Sequence, residues 1–241
     1  MTVHVFYEDF ANELLDALGK FPKDTRVLAT TPYEHIREKL EKSITSLGLS
    51  HDVRVTPNIG RNFGPLLVEF SEELQKTESF IHIHSKKSTH SPKIAEKWLQ
   101  RSTDLFLSPT GLQRCFDILE NHKDIGLLYA QSSDLIRGIN FRWGRSKFEM
   151  KRILRSAPGF EKVKWSGRLL FPAGGMFWVK TDAILPLLEF PWRYEMFPKE
   201  RAQIDGATQH GIERVVGELT KSRGYLQASP LKPVQEFGIY K

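Results

Sequence analysis

Three kinds of feature are scarce in this sequence, and each scarcity excludes a class of protein. The 241 residues include a single cysteine, Cys115. The chain can therefore form no internal disulfide and no cysteine-based zinc site, and we expect a reducing, cytoplasmic setting. No run of 18 apolar residues occurs, so no transmembrane helix is predicted. The first seven residues are strand-like and are followed by the acidic Glu8 and Asp9, a pattern that does not fit a signal peptide.

The overall composition is that of a folded globular protein. Hydrophobic residues make up 40% of the chain and charged residues 27%, with 17 glycines and 13 prolines, so disordered and low-complexity classes are excluded. A chain of this length can bury a full hydrophobic core. We therefore predict a single α/β domain over residues 1–241.

Positive charge is concentrated in one segment. Residues 136–168 contain ten basic and two acidic residues, a net charge of +8, whereas the whole chain carries +6. The rest of the chain is therefore slightly acidic, at −2. We interpret residues 136–168 as a basic insertion with one short helix near residues 147–154, and its charge suggests a specific anionic partner.

Strands and helices alternate along the first part of the chain. Short apolar runs predict strands, and leucine and isoleucine residues at helical spacing predict the helices between them. The predicted strands cover residues 3–7, 26–30, 53–56, 80–84, 125–130 and, with a break at two glycines, 169–180. Such alternation favours an open, mostly parallel sheet with helices on both faces. In such sheets ligands bind beyond the carboxyl ends of the strands.

Two helix starts have clear signals in the sequence. Residues 31–34 combine a capping box with a proline, so we predict a helix whose first residue is Pro32. Ser108 followed by Pro109 predicts a second capped helix start.

Two loops at predicted strand ends carry candidate binding residues. The motif NIGRN at residues 58–62 lies just before a helix N-terminus, where backbone N–H groups favour anions, although an ordinary tight turn explains it as well. The motif HSKKS at residues 84–88 ends a strand on which His82 and His84 share a face. Its lysines and hydroxyl groups suit a phosphate. A metal site begun by the two histidines and a solvated basic loop are the alternatives.

Two further segments have an unusual mixture of residues. The double glycine at residues 174–175 interrupts an apolar stretch and is either a close approach to a substrate or a strand bulge. A helix predicted over residues 203–221 places Asp205, Gln209 and Glu213 on one polar face. A plain solvated helix face is the alternative there.

Together, four motifs resemble the rhamnan synthesis protein F family. They are NIGRNFGP at residues 58–65, HSKKS at 84–88, FPAGGMFW at 171–178, and QIDG followed by HGIER at 203–214. The family is associated with bacterial rhamnose-containing polysaccharides, and its layout is similar to a GT-A glycosyltransferase. The resemblance therefore implies transfer of a sugar such as L-rhamnose from a nucleotide diphosphate donor to a glycan or lipid-linked glycan acceptor.

The chain departs from these patterns at two places. GT-A enzymes carry a metal-binding Asp-x-Asp motif, which occurs nowhere in this sequence. Residues 82–87 stand in its place, which implies that cationic side chains replace a metal and that no cofactor is required. Asn62 stands where the family usually has aspartate. This departure leaves a catalytically inactive module that binds glycan or nucleotide sugar as the alternative function.

The resemblance and the chemistry of the residues together assign candidate roles. Asp205 is the first candidate for the catalytic base and Glu200 the second. Donor and phosphate binding is assigned to Asn58, Gly60, Arg61, Asn62, His84, Lys86 and Lys87. A substrate pocket is assigned to Gly174, Gly175, Met176, His210, Glu213 and Arg214. No residue is assigned to a metal.

The basic insertion also carries aromatic residues. They are Phe141, Trp143, Phe148, Phe160 and Trp165. With the positive charge they favour peripheral, salt-sensitive contact with the inner face of the membrane, and charges that line the cleft or are simply solvated are the alternative. Nucleic-acid binding would leave the four motifs unexplained, so no nucleic-acid partner is expected.

Overall fold

One mixed sheet forms the centre of the protein. The computed structural model describes residues 1–85, 92–130, 142–199, 205–230 and 238–240. The strands in these ranges are β1 Thr2–His4, β2 Arg26–Thr31, β3 Ser50–Val55, β4 Ser79–His84, β5 Ile125–Leu128, β6 Phe177–Lys180, β7 Leu226–Ser229 and β8 Gly238–Tyr240. Their order across the sheet is β3-β2-β1-β4-β6-β5-β7-β8. All but β6 and β8 run in the same direction, which confirms the open, mostly parallel sheet.

Helices cover both faces of this sheet, as predicted. They are α1 Glu8–Leu18, α2 Glu34–Ser46, α3 Phe63–Glu69, α4 Ser71–Leu74, α5 Pro92–Phe106, α6 Pro109–Asn121, α7 Ser146–Leu154, α8 Leu185–Glu189 and α9 Thr208–Ser222. One apolar core lies between the sheet and α1, α2, α5 and α6, and a second lies under the remaining helices. Alternate residues of each strand divide between the two cores, so that Ile81 faces the first and Phe80 the second.

The predicted helix starts have different outcomes. The helix α6 begins directly after Ser108, whose hydroxyl accepts a hydrogen bond from the helix backbone as predicted. The helix predicted to begin at Pro32 begins instead at Glu34. Thr31 is the last residue of β2, and its hydroxyl accepts a hydrogen bond from the N–H of Tyr33 at 3.3 Å. That prediction was wrong because strand pairing holds Thr31 in extended backbone.

Two departures from the predicted elements place the functional residues. Only residues 177–180 of the predicted strand 169–180 pair with neighbours, and this strand, β6, runs antiparallel between β4 and β5. Its N-terminal end therefore lies at the same sheet edge as the carboxyl ends of β1 and β4. The helix α9 begins at Thr208, so the prediction that Asp205 lies within it was wrong.

The basic insertion contains the short helix that its sequence predicts. This helix is α7, and its buried residues are Ser146, Met150 and Leu154, which recur once per turn and pack into the second core. No helix in the described ranges is long and apolar enough to cross a membrane.

Candidate functional site

Buried polar side chains lie at the carboxyl edge of β1 and β4, on the side of the sheet that α3 covers. His82 and His84 share this face, as predicted, and pair in register with Thr2 and His4 of β1. The Thr2 hydroxyl lies 2.9 Å from His82 Nδ1. The amide Nδ2 of Asn62 donates to His82 Nε2 at 3.0 Å. His82 therefore joins the sheet to the residue that precedes α3.

Two of these histidines are neutral. Burial, and secondarily the positive charge of His84, lower the pKa of His4 to about 3. Burial is also the main reason that the pKa of His82 lies well below its ordinary value, with His84 and His4 adding to it. A neutral imidazole acts as one donor and one acceptor. His82 therefore orients Asn62 and contributes no charge of its own.

His84 and Glu213 hold Gly174 from opposite sides. His84 Nε2 lies 2.7 Å from the carbonyl oxygen of Gly174, and its Nδ1 lies 2.9 Å from that of Ser85. The Glu213 carboxylate of α9 accepts a hydrogen bond from the N–H of Gly174. Carbonyl oxygens only accept, so His84 satisfies both of them only as the imidazolium. The predicted residues thus meet in one chain of contacts from His84 through Gly174 to Glu213.

Gly175 lies directly against Asn62. Its φ is +75°, and a Cβ atom there would lie 2.9 Å from Asn62 Nδ2 and 3.4 Å from His84 Nε2. Only glycine permits this approach, so the double glycine does bring backbone to the polar cluster. Met176, which was assigned to the same pocket, is instead buried in the first core, on the other side of the sheet. That assignment was wrong because Met176 and Phe177 point to opposite faces of the sheet.

The loop before α3 packs against the segment that leads into α9. Gly60 has a φ of +76°, and a Cβ atom there would lie 2.7 Å from the Phe197 ring. Packing on Phe197 therefore explains the glycine, and its role toward a nucleotide stays a prediction. Asn58 is exposed. Arg61 Nη1 lies 3.1 Å from His210 Nε2, which ties this loop to the first turn of α9.

Asp205 lies at the N-terminus of α7. Its Oδ2 accepts from the N–H of Arg145 at 2.9 Å, and its Oδ1 accepts from the Ser146 hydroxyl at 3.1 Å. Arg214 Nη2 lies 3.2 Å from Oδ1. Burial acts to raise the pKa of Asp205, but the Arg145 N–H and the Arg214 charge outweigh it, and the pKa lies below its ordinary value. A carboxylate at a helix N-terminus also interacts favourably with the helix dipole.

Arg214 belongs to the same cluster. Its guanidinium donates to Arg142 O at 2.9 Å, to Ser146 Oγ at 3.0 Å and to His210 O at 2.7 Å. Its side chain is 9% exposed. These contacts show that Arg214 joins α9 to α7. The sequence assigned Arg214 to a substrate pocket and did not predict this structural contact.

The predicted site residues therefore fall into two connected groups. The first group meets at the sheet edge and consists of Asn62, His84, Gly174, Gly175 and Glu213. The second group is built on α9, where His210 contacts Arg61 and Arg214 contacts Asp205. Glu200, Lys86 and Lys87 lie outside the described residues, so their roles stay predictions. Within the described residues, no group of three or more His, Cys, Asp or Glu side chains is arranged to hold a metal ion.

Sequence reasoning missed several residues that hold the predicted site residues in place. Thr2 and His4 show the same two-residue spacing as His82 and His84, and this signal could have placed them on one face. No comparable signal links Ser146 to Asp205, which lie 59 residues apart in the chain.

Comparisons with known proteins agree with the motifs. The sequence profile of the rhamnan synthesis protein F family matches residues 1–225. Two curated relatives, both named uncharacterized protein WxcX and both from Xanthomonas campestris pv. campestris (strains B100 and ATCC 33913), are 27% identical over 226 residues. The match covers 93% of this chain and 32% of each relative, so the chain spans about a third of their length.

A solved structure of similar shape is the crystal structure of S. aureus TarS 1-349. It covers 91% of this chain and 55% of its own, with a TM-score of 0.45 and 16% sequence identity.

The match to the family profile includes all four motifs that carry the resemblance. It also spans the sheet edge at which Asn62, His84, Gly174 and Glu213 meet. The chain therefore belongs to the rhamnan synthesis protein F family.

Proposed function

We propose that this chain is a glycosyltransferase domain that moves a sugar, first of all L-rhamnose, from a nucleotide diphosphate donor to the precursor of a cell-surface polysaccharide. Family membership supports the class of pathway. The observation that carries the proposal is the chain of contacts from Glu213 through Gly174 to His84. It lies where open α/β sheets bind ligands, and its carboxylate and imidazolium suit sugar hydroxyls and a diphosphate respectively.

The reaction needs a base and a means to stabilise negative charge. The acceptor oxygen forms a bond to the anomeric carbon of the sugar, the bond from that carbon to the diphosphate breaks, and the acceptor proton passes to the base. Asp205 remains our first candidate for the base, because its carboxylate lies beside Arg214 of α9 and its side chain is 28% exposed. Glu200 is the second candidate.

Cationic side chains stabilise the departing diphosphate in this proposal. His84 supplies a charge at the carboxyl end of β4, and Lys86 and Lys87 follow it two and three residues later in the chain. We propose that these residues replace the metal ion of other GT-A enzymes, so that the reaction requires no cofactor.

The test is transfer by the purified chain. It is incubated with dTDP-L-rhamnose, UDP-glucose or GDP-mannose and a lipid-linked glycan extract, and release of nucleoside diphosphate is measured. We expect release that depends on the acceptor and that falls about a hundredfold in Glu213→Gln. Glu218→Gln is the matched control, because Glu218 is a second carboxylate of α9, buried and outside the site, and its substitution is expected to leave turnover unchanged. No release from any donor would contradict the proposal.

A second function is a binding module without catalysis. Asn62 supports it, because its amide is engaged with His82 where the family usually has a carboxylate. Binding of a nucleotide sugar without turnover in the same experiment would favour this module.

We also propose peripheral contact with an anionic membrane surface, now restricted to α7. Trp143 and Phe160 are buried in the second core, and Trp165 packs on Trp143 with ring centroids 4.9 Å apart. The prediction that Trp143 and Phe160 serve as membrane anchors was wrong, because their side chains are buried in the fold. Trp165 is partly buried against the second core, and its role as an anchor stays a prediction. Phe141 lies outside the described residues. Phe148 is 80% exposed and carries the remaining support.

A further inference from the structure

Gln209 has a buried and unpaired amide group. The residue is 2% exposed, and neither its Nε2 nor its Oε1 has a hydrogen-bond partner among the residues that the structure describes. Roughly 90% or more of buried polar groups in proteins have a partner. Two unpaired atoms on one side chain therefore call for a group that the described residues do not supply.

The position of Gln209 places this amide beside the candidate site. Gln209 is the second residue of α9 and lies one turn before Glu213, so the two side chains share a face of the helix. Glu213 contacts Gly174 on that face. The next residue, His210, contacts Arg61 of the loop before α3. Gln209 is thus flanked by residues that contact the loop before α3 and the double glycine before β6.

The chemistry of the side chain selects the ligand. An amide offers both a donor and an acceptor, and a hydroxyl group needs both. A phosphate only accepts, and the negative charge of nearby Glu213 disfavours it. We propose that Gln209, together with Glu213, binds neighbouring hydroxyl groups of a sugar ring. This inference rests on the proposed function, and the sugar is that of the donor or that of the acceptor.

The substitution Gln209→Met separates binding from a structural role. Methionine has a similar length and no strong polar atoms, so it removes an unpaired buried amide and is expected to leave the melting temperature unchanged or higher. Affinity for the sugar is expected to fall about tenfold, as for a lost hydrogen bond at a site built to receive it. A lower melting temperature with unchanged affinity would overturn the proposal.

Gln227→Met is the matched control. Gln227 is also 2% exposed, and its Oε1 likewise has no partner among the described residues, but its Nε2 donates to Gly217 O of α9 at 2.9 Å. Gly217 lies about two turns beyond Gln209 along the helix. We expect the control to lower the melting temperature, because it leaves a carbonyl unpaired, and to leave sugar affinity unchanged.

The probes distinguish the two sources of the sugar. Calorimetric titrations compare dTDP-L-rhamnose, UDP-glucose and GDP-mannose with their free nucleoside diphosphates, and then add methyl L-rhamnoside to the diphosphate-bound protein. Weaker binding of the nucleotide sugar alone in Gln209→Met identifies the donor sugar, and weaker binding of the rhamnoside alone identifies the acceptor sugar. Unchanged binding of both overturns the proposal. A wild-type protein that binds none of the probes contradicts the proposed function as well.

Discussion

Asp205, the first candidate for the catalytic base, makes several tertiary contacts through its carboxylate. Both oxygens of its carboxylate accept hydrogen bonds from the start of α7, and Arg214 adds an ion pair. Such contacts stabilise the charged form and weaken the group as a proton acceptor. Its side chain is still 28% exposed, so the carboxylate is accessible from solvent.

The substitution Asp205→Asn is expected to affect both stability and turnover. It should lower the free energy of unfolding by about 1–2 kcal/mol, because the ion pair is lost and an amide N–H faces the Arg145 N–H. Turnover should fall roughly a hundredfold if Asp205 is the base. Thermal melts and initial rates, both measured below the melting temperature of the variant, check the two effects.

Ser146→Ala is the control for this prediction. It removes one of the same contacts and keeps the carboxylate, so it should lower stability and leave turnover near that of the wild type. Near-normal turnover in Asp205→Asn would move the base to Glu200.

The contribution of Asp205 to stability should also be complete at neutral pH and decline as the pH falls below about 3.9, because its folded pKa lies below the ordinary value.

At the scale of elements, α7 has two distinct faces. Ser146, Met150 and Leu154 pack inward. Phe148, Arg152 and Arg155 are exposed and four or three residues apart, so they share the outer face. Glu149 pairs with Arg152, which reduces but does not cancel the positive charge. An exposed phenylalanine within a basic face is a combination that suits an anionic lipid surface.

Phe148→Ala is therefore expected to weaken binding to anionic vesicles about fivefold to tenfold. The double substitution Arg152→Gln and Arg155→Gln should weaken binding further, because each basic residue near the surface contributes about 1 kcal/mol of attraction to anionic lipid. Co-sedimentation with vesicles of phosphatidylglycerol and phosphatidylcholine at low and high salt measures this. Phe116→Ala is the matched control, since Phe116 is 46% exposed on α6 across the sheet. Equal binding to both lipids, or to neither, would end the membrane proposal.

At the scale of the whole molecule, the site exists only when the chain is folded. The residues of the site come from four segments that are far apart in the sequence: α3, α9, β4 and the residues before β6. A ligand that binds this arrangement must therefore stabilise the native state, by about 2.7 kcal/mol at a hundredfold excess over its Kd. The single domain over residues 1–241 stays a prediction.

The absence of an Asp-x-Asp motif leads to a prediction about metal. We expect a nucleotide sugar to raise the melting temperature equally in EDTA and in Mn²⁺, because the proposed function assigns the diphosphate to His84, Lys86 and Lys87 and not to a metal ion. Thermal-shift measurements with the three nucleotide sugars test this. A stabilisation that EDTA abolishes and Mn²⁺ restores would contradict the proposed metal independence.

The sequence by itself determined the class of fold and the parts of the site. Alternating apolar runs predicted the open sheet, and the residue motifs identified Asn62, His84, Gly174 and Glu213 before their contacts were known. Local patterns suffice here because burial and backbone propensity act over a few residues.

Only the tertiary structure decided which of these residues meet. The antiparallel direction of β6 brings Gly174 to His84, and the start of α9 at Thr208 leaves Asp205 free to bind the N-terminus of α7. Strand direction and long-range pairing depend on how the whole chain packs, and no short stretch of sequence encodes them. For the same reason the unpaired amide of Gln209 became visible only once its surroundings were known.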